Sequence, residues 1–286
     1  MSYSYQTITT KLSAGVLTAT LCNPPINIMT GKFYAELVAF TLEVEQDDEV
    51  RVLVLQSADP DFFIAHFDVE LILSFPIDKP AVRSDELSDF NLMCERVRTM
   101  PKATIAKIAG RVGGGGSEFS AACDMRFGVL GKTIVNQMEV PLGILPGGGG
   151  TQYLPRLLGR GRAMETILGA IDLDAETAER WGYLNRAFPT SQKMDAYVDA
   201  LAQRMALWPP QALALAKQSV MNAELPIKDG LKEEAYLFQK TLRLPEAQRN
   251  MILAMERGAQ TREGEMRIAD LCDEVGKATK NQEGCT

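Results

Sequence analysis

Two glutamates, Glu118 and Glu139, stand 21 residues apart, and each lies beside a run of glycines. The first is in "AGRVGGGGSEFSAACD" (109–124), where four consecutive glycines leave a strand and run into a helix expected to carry Glu118 in its first turn. The second is in "NQMEVPLGILPGGGGTQYLPRLLGRGRA" (136–163), where Glu139 precedes a proline, a turn and a further glycine run that opens a helix. Glycine has no side chain to block an approaching ligand. Bare N–H groups at a helix start are positively polarised, so they can accept negative charge on an oxygen. Two carboxylates beside such amides can divide acid and base roles when their surroundings separate their pKa values.

Plainer readings of the same residues stay open at this level. A glycine run also suits a tight strand-to-helix crossing, and a glutamate on its own also suits a solvated or helix-capping carboxylate. A phosphate loop needs Lys and then Ser or Thr after its last glycine, whereas "SEF" follows here, and the run does not supply G-x-G-x-x-G. The one histidine, His66 in "FIAHFDVE" (63–70), could serve as a base or a donor, or could be a loop histidine satisfied by backbone or by Asp68. Ser117 follows the glycines, but a Ser-His-Asp hydrolase would need His66 brought to its hydroxyl from a separate loop.

The elements that must position these residues read as an α/β chain. Residues 5–22 alternate like two strands about a turn at 13–15, and Phe33, Leu37, Phe40 and Val44 recur at helical spacing after Thr30. "RVLVLQS" suits a buried parallel strand. Ser84 is expected to cap a helix with Leu87, Phe90, Cys94 and Val97 on one face, and "TIAKIAG" reads as the next strand. After the glycines come a short helix, the strand-like "MRFGVL", helices holding "RAMETILGA" and "AETAERWG", and a last strand-like "LNRAFP". From Thr190 the pattern is helical, broken at Pro209, Pro210, Pro226 and Pro245, and the polar end from 277 is expected to fray.

Composition narrows the function classes. The 286 residues are 46% hydrophobic and 23% charged, ordinary values for a globular protein, and no apolar run approaches a membrane span. A net charge of −7 works against nucleic-acid binding, which needs a basic face. Five cysteines form no C-x-x-C pair, and a single histidine leaves no zinc-like ligand set, so no metal is expected. The N-terminus lacks the pattern of a secretory or organelle leader, and "GCT" is no peroxisomal address, which places the protein in the cytoplasm as an expectation.

The order "FIAHFDVE", "AGRVGGGGSEFSAACDMRF", "MEVPLGILPGGGGTQYLPRLLGRGRA", "DAETAERWGYLNRAFP" resembles the crotonase superfamily, the enoyl-CoA hydratase/isomerase family, over about residues 5–260. The resemblance implies a ββα spiral core over 1–200 with a C-terminal helical trimerisation segment over 201–276. It also implies a thioester carbonyl held by two backbone N–H groups, which fall on Phe67 and Gly115. The two glutamates of the family's hydratases fall on Glu118 and Glu139, so the resemblance implies an enoyl-CoA hydratase, with isomerase, decarboxylase, C–C hydrolase or an acyl-CoA-binding scaffold as alternatives. No cofactor is implied, because coenzyme A belongs to the substrate.

Ala65, His66, Asp68 and Gly114 are the further substrate contacts by position, and Phe238 and Lys240 would approach a neighbouring subunit's ligand in a homotrimer or dimer of trimers. The family's oxyanion loop usually resembles F-x-A-G-A-D, whereas this chain has Phe63, Ile64, Ala65, His66, Phe67 and Asp68. His66 is therefore expected to act on acyl specificity, and Phe67 to donate through its backbone, while the added bulk either narrows the acyl pocket or repositions the CoA pantetheine arm. Ile26 stands where members often carry a basic residue near the CoA phosphates, a role that Lys32 could take.

Overall fold

The computed structural model describes residues 3–283 and divides into two compact units, Met1–Met100 with Thr104–Ala200, and Pro101–Ala103 with Leu201–Thr286. Ten strands belong chiefly to the first: β1 (Ile8–Ser13), β2 (Val16–Leu21), β3 (Val52–Ser57), β4 (Phe62–Ile64), β5 (Ala103–Ile108), β6 (Arg111–Gly113), β7 (Met125–Val129), β8 (Ile134–Asn136), β9 (Leu173–Asp174) and β10 (Arg186–Phe188). With them run α1 (Gly31–Gln46), α2 (Val69–Leu73), α3 (Asp89–Thr99), α4 (Gly114–Ala121), α5 (Gly150–Leu158), α6 (Arg160–Gly169), α7 (Ala175–Trp181) and α8 (Ser191–Met205).

Two sheets result. The larger has the order β1-β2-β3-β5-β7-β10, in which β1 and β2 form the antiparallel opening hairpin and β2 runs parallel to β3, as β7 does to β5 and β10. The smaller has the order β4-β6-β8-β9, with β6 parallel to both β4 and β8. Residues 53–55 and 103–108 are buried throughout, as expected of parallel strands covered on both faces. The helical face foreseen for α1 buries Phe33, Leu37, Phe40 and Val44, with Thr30 accepting from Phe33 N–H at its N-cap.

Three expectations change. The α3 N-cap is Ser88, four residues after Ser84; its side chain accepts from Asn91 N–H, the helix starts at Asp89, and Leu87 is left exposed. Ser84 instead accepts from Glu86 N–H in a turn. The first glycine run is shared between the end of β6 and the first turn of α4, which puts Glu118 one turn further along its helix. In the second unit, α9 (Pro210–Met221), α10 (Ile227–Leu242), α11 (Pro245–Glu256), α12 (Arg262–Met266) and α13 (Ile268–Glu283) follow the proline breaks, and the chain expected to fray from 277 stays helical to Glu283. Residues 284–286, Cys285 among them, lie outside the described residues.

Candidate active site

Glycine lets two backbone segments approach closely here. A Cβ on Gly116 would lie 2.6 Å from the Ile64 carbonyl oxygen, and one on Gly113 would lie 2.6 Å from that of Ala65. The loop after β4 can therefore lie directly against the start of α4. On its other side this loop is pinned to Met29, whose N–H donates to His66 O at 2.8 Å and whose carbonyl accepts from Asp68 N–H at 3.2 Å. Those bonds use the residues on either side of Phe67, so the Phe67 amide takes no part in this bridge.

Gly115 sits in the first turn of α4, where N–H groups have no intrahelical partner. A Cβ placed on it would be 3.6 Å from Phe67 N, so the two main-chain segments meet at one edge of a cavity. That cavity, of about 580 Å³, is lined by Phe67, Gly115, Glu118 and Glu139 together. Both carboxylates are nearly buried, with exposures of 3% for Glu118 and 8% for Glu139.

Their partners differ. Glu118 Oε1 accepts from Gly148 N–H and Gly150 N–H, each at 2.8 Å, which explains the second glycine run. Gly149 between them has φ of 116°, a left-handed conformation that glycine adopts without strain. Burial raises the Glu118 pKa, against the two amide bonds, which lower it. Glu139 precedes the 3₁₀ turn Val140–Leu142 and packs beside Gly114, whose φ is 46°. Burial, and then the Glu118 charge, raise the Glu139 pKa from 4.5 to about 7.

Gln137 completes the setting and was not foreseen from the sequence. With its amide oriented as its neighbours demand, it donates to Glu139 Oε1 at 3.1 Å and Oε2 at 2.9 Å and accepts from Ser117 Oγ at 3.2 Å. Ser117 Oγ in turn lies 3.1 Å from the buried Tyr183 hydroxyl. The available signal for Gln137 was only its nearness in sequence to Glu139, since β8 ends at Asn136 and Glu139 already has helical backbone angles.

A sequence-family profile described as enoyl-CoA hydratase/isomerase matches residues 11–263. The chain belongs to that family. It is similar, at 37% identity over 96% of its own length and 100% of the other's, to a Streptomyces avermitilis protein provisionally named an enoyl-CoA hydratase, with a TM-score of 0.68. It also resembles the structures of enoyl-CoA hydratases from Geobacillus kaustophilus HTA426 (26% identity, covering 89% and 95% of the two chains, TM-score 0.81) and Bacillus anthracis (25%, 88% and 97%, 0.79). The mixed α/β core with parallel sheets is thus the crotonase fold.

The remaining candidates of this enoyl-CoA hydratase/isomerase family chain fall in several places. Ala65 backs Gly113 through its carbonyl, and Gly114 borders Glu139. His66 Nδ1 donates to the Phe67 carbonyl at 2.8 Å, its Cβ lies near Gly114, and the cavity wall is made by other residues. Asp68 caps α2, accepting from Glu70 N–H at 2.9 Å. Lys32 contacts Gln6 Oε1. Phe238 and Lys240 lie on α10 of the second unit, the first exposed and the second with its ammonium over the Tyr236 ring. Among the described residues no three His, Cys, Asp or Glu side chains are grouped to hold a metal ion, and no helix is long and apolar enough to cross a membrane.

Proposed function

We propose that the protein is an enoyl-CoA hydratase, adding water across the α,β double bond of an acyl-CoA thioester. The observation that carries this reading is the meeting of two buried carboxylates, Glu118 and Glu139, with the Phe67 and Gly115 main chain around one cavity. The thioester oxygen accepts from Phe67 N–H and Gly115 N–H, which draws electron density from the β-carbon and stabilises the enolate; one such donor contributes about 3 kcal/mol. Glu118, held in place by two amides, takes a proton from the water as its oxygen bonds to the β-carbon. Glu139, with its pKa raised to about 7, supplies the proton to the α-carbon. One water thus leaves its hydroxyl on the β-carbon and a proton is added at the α-carbon, and the proton taken up by Glu118 then passes through solvent to Glu139, which restores both carboxyl groups.

Coenzyme A arrives with the substrate, and no other cofactor enters the reaction. Its phosphates would meet basic residues such as Lys32, with Phe238 and Lys240 of a neighbouring copy completing the site in a cytoplasmic homotrimer or dimer of trimers. The test is loss of the enoyl thioester absorbance with 2-enoyl-CoAs, with chromatography of the product. Formation of the 3-hydroxyacyl-CoA is the expected result. A shifted double bond, a lost carboxyl group or cleaved carbon chain would assign one of the family's other reactions instead.

A further inference from the structure

The cavity is larger than the reacting atoms require, and most of its wall is hydrocarbon. Tyr34 on α1 and Phe90 on α3 are stacked, with centroids 5.8 Å and planes 16° apart, so this ring pair spans the gap between two helices. Phe67 meets both edge-on, at 5.7 and 5.8 Å. The three rings form one cluster beside the proposed oxyanion site, since a Cβ on Gly115 would come 3.0 Å from Phe67 Cβ and 3.4 Å from Phe90 Cζ. The rest of the apolar wall is Ile72, Phe75, Ile144 and Leu145. Phe75, Ile144 and Leu145 are 52%, 41% and 64% exposed. Large apolar side chains grouped at the mouth of a cavity mark a ligand groove. No lysine or arginine lines it, and Asp89 joins the two glutamates as its charged groups.

We infer that the acyl group taken by this site is hydrophobic and larger than crotonyl: a medium-length chain, or one ending in an aryl ring, seated between the Tyr34–Phe67–Phe90 wall and the side chains of Phe75, Ile144 and Leu145. The inference rests on the reading of the site as a thioester site. Crotonyl has one methyl group beyond its double bond and leaves the apolar wall wet, whereas each further methylene buried there tightens binding roughly fourfold. An anionic acyl terminus is disfavoured by a largely apolar wall whose ionisable groups are all acids, with no lysine or arginine to meet it. The gain ends where the chain reaches the open mouth, so affinity levels off and does not rise indefinitely.

Calorimetric binding of butanoyl-, octanoyl-, decanoyl-, hexadecanoyl- and 3-phenylpropanoyl-CoA tests this without turnover, alongside hydration rates for the matching 2-enoyl-CoAs. Expected are a Kd at least tenfold lower for decanoyl- than for butanoyl-CoA, with hexadecanoyl-CoA within about threefold of decanoyl-CoA, and a parallel rise in kcat/KM. Phe75→Ser and Ile144→Ser, at exposed positions with little folding burden, should each reduce the decanoyl-to-butanoyl ratio at least threefold. Tighter binding of phenylpropanoyl- than decanoyl-CoA assigns the aryl form, and the reverse assigns the chain. If neither binds tenfold more tightly than butanoyl-CoA, or if affinity keeps climbing to hexadecanoyl-CoA, the inference is overturned. Chain-length-dependent binding without hydration of any enoyl-CoA would leave the inference standing and remove the hydratase reading.

Discussion

Glu118 and Glu139 face one cavity with different partners: Glu118 receives two backbone N–H groups through a single oxygen, while Glu139 is faced by the Gln137 side-chain amide and the Glu118 charge. Main-chain donors at a helix start cannot rotate away, so Glu118 is held in one place. Glu139, with its pKa near neutrality, is the member of the pair suited to pass a proton in either direction. Replacing either by glutamine keeps the shape and removes proton transfer, so Glu118→Gln and Glu139→Gln should each lower kcat by about 10²–10⁴. Stopped-flow or steady-state absorbance with a 2-enoyl-CoA checks this, and full activity in either variant removes that residue from the mechanism.

The raised Glu139 pKa also links stability to pH. A carboxyl with a folded pKa near 7 and an ordinary value of 4.5 contributes stability that is fully present below about 4.5 and is lost as pH rises through about 7. Between pH 5 and 8 the wild-type urea midpoint should therefore fall further than that of Glu139→Gln. Glu118→Gln removes the neighbouring charge and should move the Glu139 titration downward. Equal falls in wild type and Glu139→Gln would show that this carboxyl is not desolvated in solution.

Much of this arrangement can be read from the chain before any coordinates, because its strongest signals are long. Phe33, Leu37, Phe40 and Val44 mark α1 by period, and each proline break after 190 ends or begins a helix. The smaller sheet was illegible: β4, β6 and β8 have three residues each and β9 has two, too few for alternation to show. Ser84 and Ser88 are both acceptable caps, and only packing chooses between them. Glu118 and Glu139 were visible through their glycines, yet Phe90 read only as part of a buried helix face, because its place against Gly115 and Gly148 depends on tertiary structure. His66 stands out as the sole histidine, but its hydrogen bond to the Phe67 carbonyl is visible only in the folded loop.

Gly148 is a sharper probe of the site than Gly116. A Cβ at Gly148 would stand 2.4 Å from Phe90 Cε1 and 2.6 Å from Glu118 Oε2, so Gly148→Ala should displace the carboxylate it holds. Gly116→Ala meets Ile64 backbone and side chain at 2.6–2.8 Å, a core clash expected to cost about 1–3 kcal/mol or more. Thermal unfolding and kinetics together should show Gly148→Ala losing more activity per degree of Tm than Gly116→Ala. The opposite ranking would place Glu118's orientation elsewhere than in this loop.

Gln137→Leu removes a buried donor to both Glu139 oxygens while keeping similar bulk. An unpaired buried carboxylate costs more than the hydrogen bond it loses, so the Glu139 pKa should rise further and the rate at neutral pH should change with it. About a tenfold fall in kcat with an altered pH–rate profile is expected, and Gln137→Glu should not rescue it because a third acid replaces the donor. A variant with an unchanged profile would show that Gln137 serves packing alone.

His66→Ala separates the histidine ring from the backbone it touches. The ring donates to the Phe67 carbonyl at 2.8 Å, and such a bond contributes about 1 kcal/mol net. The Phe67 amide is positioned independently by the Met29 bonds to His66 O and Asp68 N–H, which are main-chain contacts that the substitution leaves in place. Gly114 lies 3.3 Å from His66 Cβ when a Cβ is placed upon it, and alanine keeps that atom. Turnover should therefore stay within about tenfold of wild type on both a short and a medium 2-enoyl-CoA, with chain-length preference little changed, since the cavity wall is Phe67 and its partner rings. A loss near 10³-fold would instead give the imidazole a direct place at the thioester, and a shifted chain-length preference would return to His66 the specificity role first expected of it.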